Sequence, residues 1–306
     1  MDFVGKRHWF FLLSLLAIVP GVVFFIIAPG LRTGIDFTGG STMNLQFAEN
    51  VKQEDLRPEV EDLGYADATI QQLGDDSFFI RTRELADAEK TELVETLKAR
   101  LSPEGVDVLS SDLVSPVVAQ ETVTNALWAV LAASALIFIY IWWAFRNVPS
   151  PVRYGAAAIV ALIHDTVIVI GVFAILGELL EVEINTFFLF AIVTVIGYSV
   201  NDTIVVFDKL RENVLLYPNR SFAEVVNLSI AETMARSLNT SLTLLLTLLA
   251  LLLFGGSTLR TFLLVLVVGV VAGTYSSIGI ASQVLVAWKY GDFGRLWRRI
   301  TFQKAG

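Results

Sequence analysis

The sequence has 306 residues, of which 55% are hydrophobic and only 17% are charged. This composition is typical of a membrane protein with several spans and excludes an ordinary soluble enzyme of the same length. Cysteine is absent and only two histidines are present, so we expect no disulfide, no cysteine- or histidine-built metal site and no cofactor. The net charge of −8 does not favour a nucleic-acid partner.

Six apolar segments are each long enough to cross a bilayer, which takes roughly 20 residues of helix. They are predicted near residues 9–28, 124–145, 155–176, 186–207, 238–254 and 261–287. The first segment follows a basic N-terminus and has no cleavage signature before Gly30, so we expect an uncleaved span. Lys and Arg are concentrated in alternate short loops and in the tail, which predicts that both termini are cytoplasmic.

These spans divide the chain into six parts. The predicted parts are the cytoplasmic N-terminus with the first span (1–28), an extracytoplasmic domain (29–123), spans two to four (124–208), a cytoplasmic loop with an amphipathic helix (209–236), spans five and six (237–288) and a basic cytoplasmic tail (289–306). The amphipathic helix is predicted to begin at Ser221, because Ser221 and Glu224 have the spacing of a capping box.

The segment 29–123 has the pattern of a small α+β domain. Strands are predicted at 42–47, 68–73, 77–82 and 106–109, helices at 53–63 and 86–101, and a hairpin turn at Gly74-Asp75-Asp76. This βαββαβ order is that of a ferredoxin-like fold. The fold class is therefore a polytopic α-helical membrane protein with six transmembrane helices and one small ferredoxin-like domain. Since this domain has no histidine, cysteine or nucleophile motif, we interpret it as a contact or hinge module.

Polar side chains in the fourth span mark the candidate site. Thr194, Tyr198, Asn201 and Asp202 fall at i, i+4, i+7 and i+8, which places them on one face of a helix. A charged residue in a span costs about 2.5–3.5 kcal/mol and commonly marks an ion or proton site. Arg236, at the edge of the fifth span, is long enough to reach Asp202. Burial and the nearby guanidinium act on the carboxyl group in opposite directions, so Asp202 could then exchange a proton near neutral pH. A boundary acid beside the headgroups and a static ion pair are the structural alternatives.

A second acid, Asp165, lies deep in the third span and follows His164. It could extend a proton relay from Asp202, or it could bond hydroxyl side chains and fix helix packing. We interpret His164 as a packing partner rather than a ligand.

Further polar residues in the spans are predicted to line a polar pathway, with ordinary helix packing as the alternative. These residues are Tyr198, Asn201, Asn239, Thr240 and Ser276. Gly269 and Gly273 have GxxxG spacing, which permits close approach of two helices.

A glycine-rich segment, Gly34-Ile-Asp-Phe-Thr-Gly-Gly40, follows the first span. Gly34, Gly39 and Gly40 permit tight turns and are predicted to form a hinge. The segment lacks the lysine and the strand-loop-helix context of a phosphate-binding loop, so we do not expect nucleotide binding.

Together these motifs resemble the SecF family of the bacterial Sec protein-export machinery, which is related to the resistance-nodulation-division transporters. The resemblance extends over the whole chain. It rests on Gly34–Gly40, Ala161-Leu-Ile-His-Asp165, Gly197–Asp208, Arg236-Ser-Leu-Asn-Thr-Ser241 and Gly273-Thr-Tyr-Ser-Ser277. One departure is Lys209, which stands where arginine is usual in the family.

The resemblance implies a non-enzymatic subunit of the SecDF complex in the bacterial cytoplasmic membrane. Such a subunit would use the proton-motive force to assist SecYEG-dependent translocation of unfolded preproteins. The implied partners are a SecD-like subunit, the SecYEG translocon, the preprotein, the bilayer and protons. The family places the proton-relay acid at Asp202 and its partner at Arg236. A half-unit of a proton-driven efflux transporter and an intramembrane aspartyl protease using Asp165 and Asp202 are the alternatives.

Overall fold

The computed structural model describes residues 2–27, 30–74, 76–256 and 259–292. This part of the chain contains six helices long and apolar enough to cross a membrane, together with one four-stranded sheet. The predicted fold class is therefore confirmed. Most of the predicted basic tail, the middle residue of the predicted hairpin turn and Ala28 lie outside the described residues.

Most helices and strands follow one another as the hydrophobic pattern predicts, although the short helix α2 was not expected. In chain order they are α1 (Arg7–Ile27), α2 (Ile35–Thr38), β1 (Gly40–Phe47), α3 (Gln53–Asp62), β2 (Thr69–Gln72), β3 (Ser77–Thr82), α4 (Asp87–Leu101), β4 (Val106–Val114), α5 (Pro116–Ala144), α6 (Pro151–Leu180), α7 (Thr186–Leu216), α8 (Phe222–Phe254), α9 (Arg260–Ser276), a π-helical turn (Ser277–Ala281) and α10 (Ser282–Lys289). The sixth span consists of α9, the π-helical turn and α10.

The α+β unit comprises Thr33–Leu127. Its sheet has the order β2-β3-β1-β4 with every neighbouring pair antiparallel, which is the strand order of a ferredoxin-like fold. Strand β4 ends at Val114, five residues later than predicted, because it pairs with β1 along the whole length of that strand. One core unites the two helices and the sheet. Its members include Met43, Leu45, Leu56, Val60, Phe78, Ile80, Leu93 and Leu97.

Glycines allow the closest helix contacts in the helical unit, which comprises the rest of the chain. Gly21 of α1 lies against Gly171 of α6, and a Cβ atom on either would meet the backbone of the other. Gly273 of α9 lies against Ser199 of α7. A Cβ atom added at Gly273 would lie only 3.0 Å from the Cβ of Ser199. Gly269 packs even more closely on Val195, where a Cβ would overlap Cγ2, so the predicted role of the GxxxG pair is confirmed.

The fifth span differs from the prediction. We expected a surface helix that ended at Arg236 and a separate span from 238, whereas α8 runs unbroken from Phe222 to Phe254. The polar residues from Arg236 onward contain no proline or glycine, so nothing interrupts the helical hydrogen bonds there. The predicted capping box at Ser221 and Glu224 is formed and begins this longer helix.

The predicted hinge segment has a defined conformation in the structure. Gly39 and Gly40 adopt φ angles of 73° and 128°, which side chains rarely permit. Gly34 is extended with φ of −73°, a conformation open to any residue. The backbone conformation therefore favours glycine at positions 39 and 40. The hinge function stays a prediction.

Candidate functional site

Asp202 lies in the middle of α7 and is only 6% exposed. Its two carboxylate oxygens accept hydrogen bonds from serines of two other helical segments. Ser237 of α8 donates at 2.6 Å, and Ser277, the first residue of the π-helical turn, donates at 2.8 Å. Both distances lie in the ordinary range of hydrogen bonds donated by a hydroxyl group. Among residues 2–27, 30–74, 76–256 and 259–292 no cation forms an ion pair with this carboxylate.

The expected contact between Asp202 and Arg236 is not formed in this structure. The Arg236 side chain is exposed, and neither an ion pair nor a hydrogen bond joins it to Asp202 in the described part of the chain. The reason is the unbroken helix α8. Ser237 follows Arg236 about 100° further round that helix, and it is the serine that faces Asp202.

The π-helical turn places two adjacent serines on two different acids. Ser276 donates to Asp165 at 2.7 Å, and Ser277 donates to Asp202. In the wider turn, two backbone carbonyl groups accept hydrogen bonds from side chains. Ser282 Oγ donates to Ser277 O at 2.9 Å, and Gln283 Nε2 donates to Ile278 O at 3.1 Å. Turns of this type occur frequently at functional sites. The two buried carboxylates are thus connected through one stretch of backbone.

Asp165 is 1% exposed and has three hydrogen-bond partners. Ser199 of α7 and Ser276 of α9 donate to Oδ2, and Oδ1 lies 2.9 Å from Nδ1 of His164. The expectation that Asp165 bonds hydroxyl side chains between helices is therefore confirmed. Its membership of a proton relay stays a prediction.

His164 takes part in a second set of polar contacts and is more than a packing partner. Its Nε2 lies 3.0 Å from Ser14 Oγ of α1, which in turn lies 3.2 Å from the hydroxyl of Tyr275. The Tyr275 hydroxyl donates to Phe10 O at 2.6 Å, and its ring stacks on the imidazole with centroids 6.0 Å apart. One polar network therefore joins α1, α6, α7 and α9. The sequence signal for it is Ser14, a single hydroxyl in an otherwise apolar first span.

The aspartyl protease alternative conflicts with this geometry. Catalytic aspartates in such enzymes lie together and share one proton. Here Asp165 and Asp202 accept hydrogen bonds from different serines, and no hydrogen bond joins the two acids.

The residues predicted to line a pathway separate into an inner and an outer group. Ser276 is buried against Asp165, and the Tyr198 hydroxyl lies 2.7 Å from Ser241 Oγ of α8. The outer group is exposed on the surface of the helical unit and consists of Asn201, Asn239 and Thr240. Because α7 turns Asp202 inward and Asn201 outward, the predicted polar stripe does not enclose a pathway within the described residues.

The fold and these contacts define a six-span membrane protein with two carboxylates buried among its spans. Two family models match this sequence. The model of the SecD/SecF protein-export membrane proteins, C-terminal part, matches residues 94–291, and that of the SecD/SecF GG motif matches residues 24–51. The chain therefore belongs to the SecD/SecF family of protein-export membrane proteins, as the sequence motifs indicated.

Curated relatives identify the SecF branch of this family. The protein translocase subunit SecF of Thermobaculum terrenum is 44% identical, and the match covers 98% of this chain and 97% of that protein. SecF of Anaerolinea thermophila is 39% identical with the same two coverages. The crystal structure of SecDF from Thermus thermophilus, described as a translocon-associated membrane protein, superposes with a TM-score of 0.82 at 38% identity. That match covers 95% of this chain and 39% of SecDF, so the chain corresponds to about two fifths of SecDF.

Proposed function

We propose that this chain is a SecF-type subunit of a protein translocase that moves preproteins across the bacterial cytoplasmic membrane. Relatives named as this subunit match nearly its full length, which supports the proposal. SecDF of Thermus thermophilus contains a region similar to this chain within a longer polypeptide. That fusion supports a SecD-like subunit as partner. The SecYEG translocon and an unfolded preprotein are the further proposed partners, with both termini cytoplasmic.

The buried carboxylate of Asp202 is the observation that carries the proton-driven part of this function. A charge in the membrane interior costs about 2.5–3.5 kcal/mol on insertion scales. Moving one charge across 100 mV releases about 2.3 kcal/mol. These free energies are similar, so a membrane potential can drive proton uptake and release at such a site. We therefore propose that Asp202 carries the transported proton, with Asp165 as an extension of the relay.

The hydrogen bonds of Asp202 suggest how protonation moves the helices. A neutral carboxyl group needs an acceptor for its own proton and attracts serine donors less strongly. Ser277 already has a second acceptor, Thr274 O at 3.0 Å, to which it can turn. Loss of the bonds to Ser237 and Ser277 then frees α7 from α8 and from the π-helical turn. A hinge at Gly34, Gly39 and Gly40 is proposed to pass this movement to the α+β unit.

Arg236 is proposed to act in another step of the cycle. Its exposed side chain and those of Asn239 and Thr240 lie on one surface of α8, because they are three and four residues apart. We propose that this surface faces the SecD-like subunit, which supplies the second wall of the polar pathway. A rotation of α8 by about 100° would move Ser237 away from Asp202 and bring Arg236 to its place.

The experiment that tests this function measures proton flux and preprotein export in inverted membrane vesicles containing the assembled translocase. Asp202→Asn and Arg236→Met are expected to abolish both activities. Asp208→Asn is the matched control, because Asp208 lies on the same helix but is exposed and paired with Arg211 at 2.7 Å. Full proton-dependent export by the Asp202→Asn variant, with the complex assembled, would contradict the proposal. Drug efflux has no comparable support, since the family model matched is that of protein export.

A further inference from the structure

The pair formed by His164 and Asp165 is a buried titratable group of the helical unit. The two residues are 7% and 1% exposed. Four side chains face the pair: Ser14 from α1, Ser199 from α7, and Tyr275 and Ser276 from α9. Apart from Tyr275, no titratable or charged group in the described part of the chain contacts it. The protons of this network can therefore be counted from its donors and acceptors.

The count begins at the backbone carbonyl of Phe10, which can only accept. Tyr275 must give its single hydroxyl proton to this oxygen at 2.6 Å. The contact between Ser14 Oγ and the Tyr275 oxygen then requires Ser14 to donate. Ser14 has no second proton for the imidazole 3.0 Å away. Nε2 of His164 is therefore the donor to Ser14 and carries a proton.

The other side of the imidazole requires a second proton. Nδ1 lies 2.9 Å from Oδ1 of Asp165, while Oδ2 accepts from Ser199 and Ser276. Without a proton between Nδ1 and Oδ1, two lone pairs would face each other at hydrogen-bond distance. One proton therefore lies on either atom. The pair holds one proton more than a neutral imidazole beside a carboxylate, and its net charge is zero.

We infer that His164 and Asp165 together form a second proton-binding site. Release of one proton leaves a neutral imidazole that donates from Nδ1 to the Asp165 carboxylate. Nε2 then has a lone pair and must accept from Ser14, whose hydroxyl turns away from Tyr275. Loss of the proton therefore breaks the hydrogen bond from Ser14 to Tyr275, while the bond from Tyr275 to Phe10 O still joins α1 and α9.

This site can communicate with Asp202 through two neighbouring residues. Ser276 bonds Asp165 and Ser277 bonds Asp202, so a change in either acid moves the same backbone. The role of the pair in a transport cycle depends on the function proposed above. The protonation of the pair, however, can be measured without transport.

The sequence makes a direct test possible, because His8 is the only other histidine. His8 is exposed, so His8→Asn leaves one imidazole in the full chain without disturbing the network. Solid-state NMR of this variant, labelled with ring-¹⁵N histidine in bilayers, reports the proton on each nitrogen. At neutral pH we expect a protonated Nε2, and at high pH a switch to the tautomer protonated at Nδ1 alone. A His164 that has an unprotonated Nε2 at every pH would overturn the inference.

Further variants identify the partners of the proton. Asp165→Asn should abolish the switch, and persistence of the switch would overturn the pair as the binding unit. Tyr275→Phe removes the acceptor that holds the Ser14 proton. At a pH where both tautomers are present, it should raise the ratio of the Nδ1 tautomer to the proton-bound form about fivefold. An unchanged ratio would contradict the role of Ser14.

Asp202→Asn separates this inference from the proposed function. We expect this variant to keep the tautomer switch of His164. If the switch is kept while the variant also exports preprotein normally, the proposed function fails and the second site stands. If Asp202→Asn abolishes both export and the switch, the pair is not a site in its own right.

Discussion

The two buried acids of the helical unit have different surroundings. Asp165 has an imidazole and two hydroxyls as partners, all from α6, α7 and α9 of this chain. Asp202 has two hydroxyls and no imidazole, and it lies beside α8, whose polar residues Arg236, Asn239 and Thr240 are exposed. The first acid is satisfied within the chain and stabilises its packing. The second has fewer partners within the chain, which agrees with the proton-carrying role proposed for it.

Unfolding measurements should show the largest difference between the two acids. Asp165→Ala leaves the His164 imidazole and two buried hydroxyls without their acceptor, and we expect a loss of about 3–5 kcal/mol. Asp202→Ala affects only two hydroxyls, of which Ser277 keeps Thr274 O as acceptor, so a loss of about 1–3 kcal/mol is expected. Denaturant unfolding of the purified chain in detergent measures both values. Equal losses would mean that the two acids are structurally equivalent.

The contact of α7 with α9 provides a second, smaller effect. A Cβ at Gly273 would lie 3.0 Å from Cβ of Ser199, the serine that donates to Asp165. Gly273→Ala should therefore destabilise the chain by about 1–3 kcal/mol through overpacking. Gly197→Ala is the control in α7, since a Cβ there meets nothing within 4 Å and better helix propensity should stabilise by about 0.5–1 kcal/mol. Equal stability of the Gly273→Ala and Gly197→Ala variants would contradict the close packing of α9 on α7.

The adjacent serines offer a matched pair of variants. Ser277→Ala removes one of two hydrogen bonds to Asp202, and a loss of about 1 kcal/mol would slow proton-driven export about fivefold. Ser276→Ala removes one of three hydrogen bonds to Asp165 and should lower stability by about 1 kcal/mol with a smaller effect on export. Export rate and unfolding free energy are measured for each. A larger export defect in Ser276→Ala would reverse the roles assigned to the two acids.

The smallest expected effect lies in the α+β unit. Glu89 accepts from the Ala86 N–H at 2.8 Å and from Arg83 at 2.9 Å, and these bonds hold the pKa of its carboxyl below the ordinary value. Their stabilisation is present above the ordinary glutamate pKa and is lost as the pH falls through the lowered one. Glu89→Gln should therefore speed amide hydrogen exchange in the first turn of α4 at neutral pH, and less in acid. A difference independent of pH would exclude this charge effect.

Local patterns were sufficient to predict most of the fold. The βαββαβ order and the six spans follow from periodicity and length, which are properties of each segment alone. The joining of the surface helix and the fifth span was missed, because the amphipathic segment up to Arg236 and the span from 238 were interpreted as two separate helices. The run after Arg236 is polar because Ser237 bonds Asp202 and Ser241 bonds Tyr198, which are tertiary contacts.

The acids of the site were predictable, but their partners were not. A carboxylate in an apolar segment is conspicuous in any sequence, so Asp165 and Asp202 could be selected. Serines are common in membrane helices, and nothing local distinguishes Ser237 or Ser277 from the others. Their positions depend on the continuity of α8 and on the π-helical turn. Both are features of packing that no short window of sequence contains.

The central claim is that Asp202 takes up a proton, and infrared difference spectroscopy of the purified chain in lipid tests it most directly. Acidification should produce a carboxylic-acid carbonyl band that is absent from Asp202→Asn and retained in Asp208→Asn. A wild-type band that persists unchanged in Asp202→Asn would show that the proton binds elsewhere, and the account of this site would then be wrong.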